Sequence, residues 1–105
     1  MKKVENFELP NGHEPFDEWL EQLELRVQAR IQAYIDRVAK GGSKKNVRVL
    51  GDGVFEIKLD FGPGYRVYFG ELGSDMILLI IGGDKGSQEK NIEMANMYWR
   101  TYVQK

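Results

Sequence analysis

Four side chains that could act on a phosphodiester cluster in residues 53–69, GVFEIKLDFGPGYRVYF. Apolar and polar residues alternate on both sides of a Gly-Pro-Gly segment, which is typical of two antiparallel strands joined by a tight turn. With those three residues as the loop, Asp60 faces Arg66. Two positions further from the turn, Lys58 faces Tyr68, and cross-strand partners share one face of a sheet. The pattern therefore predicts a polar quartet on the solvent-facing side of the hairpin, with the apolar set against the helices.

The quartet contains the groups that metal-free cleavage of RNA requires. Such cleavage needs a base for the attacking 2′-hydroxyl, a cation for the charge that develops on the phosphoryl oxygens, and an acid for the leaving oxygen. Arg66 suits the cationic role because its planar fork matches phosphate oxygens and does not titrate. The other roles have alternative candidates: Lys58 or Lys85 as second cation or base, Tyr68 as orienting group or acid, and Asp60 or Asp84 as proton acceptor.

The same residues also fit a structural interpretation without chemistry. Alternating charges are usual on the exposed face of an antiparallel sheet, and a cross-strand ion pair between Asp60 and Arg66 contributes under about 1 kcal/mol. Tyr68 could equally be a packing residue, while Asp84 and Ser87 are candidate N-caps for the helix that follows. The pattern alone does not choose between a site and a solvated surface.

Composition excludes several other kinds of site. The chain has no cysteine, so disulfides, thiolate metal sites and a cysteine nucleophile are impossible. His13 is the only histidine, which excludes a histidine pair for RNA cleavage within one chain and a histidine-rich metal site. The segment GGDKGS at residues 82–87 follows a strand like a phosphate-binding loop, but it lacks the G-x-x-x-x-G-K-[ST] spacing. We therefore expect no metal and no other cofactor.

Charge is polarised along the chain, although the formal net charge is −1. Residues 4–25 carry seven acidic and no basic side chains, whereas residues 26–48 carry seven basic side chains against one acid. A domain polarised in this way can bind an anion on one side, because exposed charges act over about 8–10 Å at physiological salt. The basic segment supplies the candidate RNA-binding residues Arg26, Arg30, Arg37, Lys40, Lys44, Lys45 and Arg48.

Periodicity predicts the elements that position these residues. Residues 2–9 favour a short strand. Apolar residues recur every three or four positions over residues 16–38, which is the helical period, and we expect a break near Glu24–Arg26 because one helix of that length is long for so small a domain. Residues 76–81 are apolar throughout, as in a central strand covered on both faces. A final amphipathic helix begins at Ser87.

The predicted order is β-α-α-β-β-β-α. This is an α+β fold with an antiparallel sheet, an N-terminal helical hairpin and a C-terminal helix. The 105 residues are expected to form a single domain, since cores of this size seldom divide. The longest apolar run is far shorter than the roughly 20 residues of a membrane helix, and the first residues contain no apolar signal segment. We therefore expect a cytoplasmic protein.

Several of these motifs, in this order along the chain, resemble the HigB-like addiction-module killer proteins of the RelE/ParE toxin superfamily, close to a phage-derived branch. The more specific elements are GPGYRVYF at residues 62–69 and GGDKGSQ at residues 82–88. PFDEWL at residues 15–20, the basic second helix, GDGV at residues 51–54 and the Tyr-Trp pair at residues 98–99 add to the resemblance.

The resemblance implies a RelE-like fold and a toxin encoded beside an antitoxin, commonly a helix-turn-helix protein. It also implies growth arrest by cleavage of mRNA on the ribosome. Superfamily toxins often use a strand arginine with nearby basic or tyrosine residues, which carries over to Arg66 and less directly to Lys58, Tyr68 and Lys85. One departure is EIKL at residues 56–59, where the superfamily often has ELRI, because lysine lacks the bidentate fork of arginine. A ParE-like inhibitor of DNA gyrase and an inactive antitoxin-binding remnant stay open as alternatives.

Overall fold

The computed structural model describes residues 2–42 and 45–104. The class is α+β, as predicted, and four strands follow the helices where the predicted order has three. The elements are β1 (Lys3–Asn6), α1 (Pro15–Glu21), α2 (Leu25–Ala39), β2 (Val47–Gly51), β3 (Val54–Leu59), β4 (Tyr65–Leu72), β5 (Met76–Gly83) and α3 (Gln88–Val103), with one 3₁₀ turn at Lys85–Ser87.

The five strands form one sheet in the order β1-β5-β4-β3-β2. Strand β1 pairs with β5 in parallel, whereas the other three neighbouring pairs are antiparallel. The prediction of an antiparallel sheet is therefore wrong at β1. Parallel neighbours need a long connection, and here both helices and three strands lie between β1 and β5 in the chain.

The predicted helical hairpin is confirmed, with its break at residues 22–24 rather than at residues 24–26. Its second helix ends where Gly41 takes a positive φ of 79°, a conformation that glycine adopts without steric cost. The N–H groups of Gly41 and Gly42 then bond back to carbonyls of the last turn at 3.1 and 2.9 Å. No helix within the described ranges is long and apolar enough to cross a bilayer.

Helices cover both faces of the sheet. Helices α1 and α2 pack on one face, where Phe16, Ile35 and Phe69 are buried together. Helix α3 packs on the other face, where Tyr68 and Trp99 are buried. The prediction that the polar side of the hairpin faces solvent is therefore wrong over β4, because α3 covers that side.

Two sheet glycines allow the tryptophans of the helices to approach closely. A Cβ at Gly82 would lie 2.1 Å from the ring of Trp19, and a Cβ at Gly70 would lie 2.1 Å from the ring of Trp99. The Trp99 Nε1–H also donates a hydrogen bond to the Asp52 carbonyl at 2.7 Å. Both indoles belong to the packing between helices and sheet.

Candidate active site

Strands β3 and β4 are paired in a register that is shifted by two residues from the predicted one. Lys58 faces Arg66 and Leu59 faces Tyr65, so residues 60–64 form a five-residue loop. Because side chains alternate with a period of two, a shift of two keeps every residue on its predicted face. Lys58 and Arg66 therefore do share a face with Tyr68.

Asp60 does not occupy its predicted place. It lies beyond the end of β3, in the loop, and faces no residue of β4. Its exposed carboxylate lies 3.9 Å from the Lys58 Nζ, so the expected cross-strand pair with Arg66 is replaced by a pair with Lys58. Exposed pairs of this kind contribute at most about 1 kcal/mol.

Two rows of side chains cross the shared face of the sheet. The register aligns Arg48, Glu56, Tyr68 and Ile81 in one row and Lys58, Arg66 and Gly83 in the next. A Cβ at Gly83 would lie 2.0 Å from the Asn91 Oδ1, so the start of α3 packs directly on the β5 end of these rows. The β2–β3 end stays accessible from solvent.

A cleft of about 450 Å³, here named the polar cleft, opens at that end. Its charged lining consists of the cations Lys45, Arg48, Lys58 and Arg66 and the carboxylates Glu56 and Asp60. Four cations against two carboxylates favour an anionic ligand. Within residues 2–42 and 45–104, no group of three or more His, Asp or Glu side chains is placed to hold a metal ion.

Arg66 is 5% exposed, although the sequence predicts a solvent-facing residue. Its Nη1–H donates to the Gly64 carbonyl at 3.0 Å, which ties the guanidinium to the hairpin loop. Its Nε–H is buried and has no hydrogen-bond partner among the described residues. A buried donor without an acceptor is costly, and this atom is closed off from solvent, so contact with a ligand in the cleft falls to the part of the Arg66 side chain that lines it.

Glu56 is a candidate site residue that the sequence interpretation missed. Its carboxylate is buried, at 2% residue exposure, and each oxygen has one partner. The Arg48 Nη2 lies 3.2 Å from Oε1, and the Gln88 Nε2 donates to Oε2 at 2.9 Å. Two signals in the sequence point to it: its position two residues before Lys58, on the same face, and the Gln88 that ends the GGDKGSQ motif.

Tyr68 lies beneath the polar cleft and is not part of its lining. The residue has 0% exposure, and within the described part of the chain its hydroxyl makes no hydrogen bond of normal geometry, although it lies close to the Glu56 carboxylate. Burial raises the pKa of the phenol well above its usual value, and the Glu56 carboxylate acts in the same direction, through its negative charge and as a nearby acceptor for the hydroxyl proton. The positive charges of Arg66 and Arg48 oppose this shift in part. Tyr68 therefore stays protonated at neutral pH.

Lys85 and Asp84 lie beside the cleft. Lys85 is exposed in the 3₁₀ turn, with its Cβ close to Gly64, the residue that accepts the Arg66 hydrogen bond. Asp84 accepts a hydrogen bond from the Ser87 N–H at 3.1 Å, in a reciprocal capping arrangement. Asp84 therefore caps the 3₁₀ turn that leads into α3, whereas Ser87, at the N-cap position of α3, makes no side-chain cap hydrogen bond.

The predicted RNA-binding residues separate into three groups. Lys45 and Arg48 line the polar cleft. Arg30 and Arg37 cover the rings of Phe61 and Tyr34, at 4.0 and 4.7 Å from the ring centroids. Of the remaining three, Arg26 pairs with Glu24 at 3.5 Å, Lys40 is exposed at the end of α2, and Lys44 lies outside the described residues.

Comparison with known proteins places the whole cleft inside the region that one protein family shares. The model of the phage-derived Gp49-like proteins (DUF891) matches residues 18–98. The chain belongs to this Gp49-like family. An uncharacterized protein of Haemophilus influenzae is 40% identical over 83 residues, which cover 78% of this chain and 83% of that protein. The family agrees with the phage-derived branch that the sequence resembles.

Proposed function

We propose that this Gp49-like protein is an endoribonuclease that cleaves single-stranded mRNA without a metal ion. The observation that carries the proposal is the buried Arg66, which lines a cationic cleft beside a fixed carboxylate. A rigid anion site next to a proton acceptor is what transesterification of a phosphodiester requires.

Each step of the proposed reaction has a group in the polar cleft. The 2′-hydroxyl attacks the adjacent phosphorus, the O2′–P bond forms, and the P–O5′ bond breaks to leave a 2′,3′-cyclic phosphate. Arg66 stabilises the negative charge on the phosphoryl oxygens. Glu56 takes the 2′-hydroxyl proton, since a carboxylate has about four acceptor positions and two of them are occupied here. Lys58, exposed and opposite Arg66, protonates the leaving O5′.

This activity fits the toxin component of a type II toxin-antitoxin pair. The resemblance to HigB-like killer proteins and the phage-derived family both support that assignment. In this proposal an antitoxin of the helix-turn-helix type neutralises the protein, and the substrate is mRNA on ribosomes in the cytoplasm. Growth arrest would follow from loss of translatable message.

Induction of Arg66→Ala in cells without an antitoxin tests the proposal. Wild-type protein should arrest growth and leave mRNA fragments with 2′,3′-cyclic phosphate ends. Arg66→Ala should lower cleavage by about a hundredfold or more, the usual loss when a transition-state donor is removed. Arg26→Ala is the matched control, because it removes the same charge outside the cleft.

Circular dichroism must show that the Arg66→Ala protein is folded, since Arg66 is buried. Undiminished growth arrest by the folded variant would contradict the assignment of Arg66. Intact mRNA together with trapped gyrase–DNA complexes would instead indicate a gyrase inhibitor. Normal growth during full induction of the wild type would indicate an inactive antitoxin-binding protein.

A further inference from the structure

A second pocket, of about 200 Å³, adjoins the polar cleft and lies against α2; we name it the α2 pocket. Tyr34 and Arg37 contribute its helical wall, and Ile57 contributes its sheet wall. The segment Lys45–Val47 lines both the α2 pocket and the polar cleft. The two pockets open on opposite faces of the sheet, so a ligand whose phosphate occupies the cleft would reach the α2 pocket by passing around the β2 edge at this segment.

The walls of the α2 pocket suit a flat, partly apolar ligand. The Arg37 guanidinium carbon lies over the Tyr34 ring, 4.7 Å from its centroid. Val47 and Ile57 add apolar side chains to the lining. Unstacked nucleobases bind proteins by stacking on aromatic rings and on arginine planes.

Asn46 gives the pocket a polar group that can read the edge of a base. Its backbone carbonyl accepts a hydrogen bond from the Lys58 N–H at 2.8 Å, which fixes the residue to β3. Within residues 2–42 and 45–104, its side-chain amide has no hydrogen-bond partner. An amide offers both donors and an acceptor, and asparagine uses both when it recognises a base.

We infer that the α2 pocket is a nucleobase subsite, which binds the base of a nucleotide next to the phosphate in the polar cleft. The volume of the pocket fits one base, and a duplex would not enter it. The inference rests on the proposed function for the nature of the ligand, single-stranded RNA. It adds that the protein distinguishes bases, with Tyr34 and Arg37 providing the stack and Asn46 the hydrogen bonds.

Binding of RNA that cannot be cleaved tests the subsite directly. The probes are 5′-labelled tetranucleotides of A, C, G or U with 2′-fluoro sugars, which lack the attacking hydroxyl, and the readout is fluorescence anisotropy. Wild-type protein should prefer one of the four probes. Tyr34→Leu should weaken binding of that probe by about tenfold, as expected when one base–aromatic stack is removed. Asn46→Ala should make the four affinities similar.

Two matched controls separate stacking and base reading from general effects. Tyr34→Phe keeps the ring and should keep the preference. Arg37→Ala should weaken binding more than Arg26→Ala, which removes the same charge from the same helix outside the pocket. Unchanged affinities in folded Tyr34→Leu and Asn46→Ala would overturn the subsite, as would equal affinities of the wild type for all four probes.

A cleavage assay on mRNA distinguishes this failure from failure of the proposed function. Cleavage that depends on Arg66, with the same cut positions in Tyr34→Leu as in the wild type, would overturn the subsite and support the nuclease. Absence of RNA cleavage by the wild type, together with loss of the probe preference in Tyr34→Leu, would overturn the nuclease and support the subsite.

Discussion

Two buried polar atoms at and beneath the polar cleft, the Arg66 Nε and the Tyr68 hydroxyl, have no hydrogen-bond partner among the described residues. Each such group costs about 1–3 kcal/mol of folding free energy. Neither atom is open to solvent, but Arg66 lines the cleft with another part of its side chain, whereas Tyr68 lies below the lining. Arg66 can therefore contribute to ligand binding, and Tyr68 acts on stability.

Tyr68→Phe should raise the free energy of unfolding by about 1 kcal/mol at pH 7, because it removes a buried hydroxyl that lacks a partner among the described residues. Urea denaturation followed by tryptophan fluorescence measures the change. Tyr98→Phe, a half-buried tyrosine of α3, is the control and should change stability by less than about 0.5 kcal/mol. A loss of stability in Tyr68→Phe would show that the hydroxyl is hydrogen-bonded.

The stability difference between Tyr68→Phe and the wild type should grow above about pH 10. Burial, and then the Glu56 charge, raise the pKa of Tyr68 in the folded protein. The folded state therefore keeps a proton that the unfolded chain releases near pH 10, and stability falls where the folded state binds more protons. Below that pH the Tyr68 phenol is protonated in both states, and the stability of the wild type falls as the pH rises above it. A constant difference between pH 8 and 11 would contradict the burial of the phenol.

Among the secondary-structure elements, the β3–β4 hairpin shows which features the alternation of apolar and polar residues predicts and which it does not. Alternation identifies which residues share a face, and a two-residue shift leaves those faces unchanged. The loop length depends on packing between residues distant in sequence, which a local pattern does not contain. Here Arg30 of α2 covers the ring of Phe61 in the loop, with its guanidinium carbon 4.0 Å from the ring centroid. The faces are therefore predictable from the sequence, and the cross-strand partners are not.

The burial of the polar face of β4 is a second feature that the sequence pattern does not predict. The apolar run at residues 76–81 predicts coverage on both sides, and β5 does contribute to both cores. The same coverage reaches β4, where Arg66 and Tyr68 are buried, but the alternating charges of β3 and β4 resemble an exposed surface. The position of α3 decides which polar residues are buried. For this reason the pattern does not single out Glu56.

Gly82→Ala and Gly70→Ala should each destabilise the fold by about 1–3 kcal/mol, because a new methyl group would overlap the ring of Trp19 or Trp99. Thermal unfolding measures the loss. Gly86→Ala is the control, since its Cβ would approach the Asp84 side chain no closer than 3.3 Å. Its stability should change by less than about 0.5 kcal/mol. Wild-type stability in both sheet variants would show that the tryptophans do not pack as closely as described.

Across the whole molecule, the acidic helix α1 and the polar cleft lie on opposite faces of the sheet. Helix α1, with Asp17 and Glu18 in its first turn, packs on the face opposite the one that carries Arg66. The polar cleft lies on the other face, where its cations exceed its carboxylates. A net charge of −1 therefore hides a local field that favours RNA on one side.

The salt dependence of RNA binding tests whether this local field, rather than net charge, governs association. For single strands, the slope of log K against log salt concentration changes by about 0.7 for each phosphate that the protein ceases to neutralise. Lys58→Gln should flatten the slope by about that amount, because Lys58 lies in the cleft opposite Arg66. Arg26→Gln removes the same unit of charge from a side chain that is 88% exposed and paired with Glu24, and it should leave the slope unchanged. Equal flattening in both variants would mean that RNA responds to the charge of the molecule as a whole and that the cleft is not where its phosphates bind.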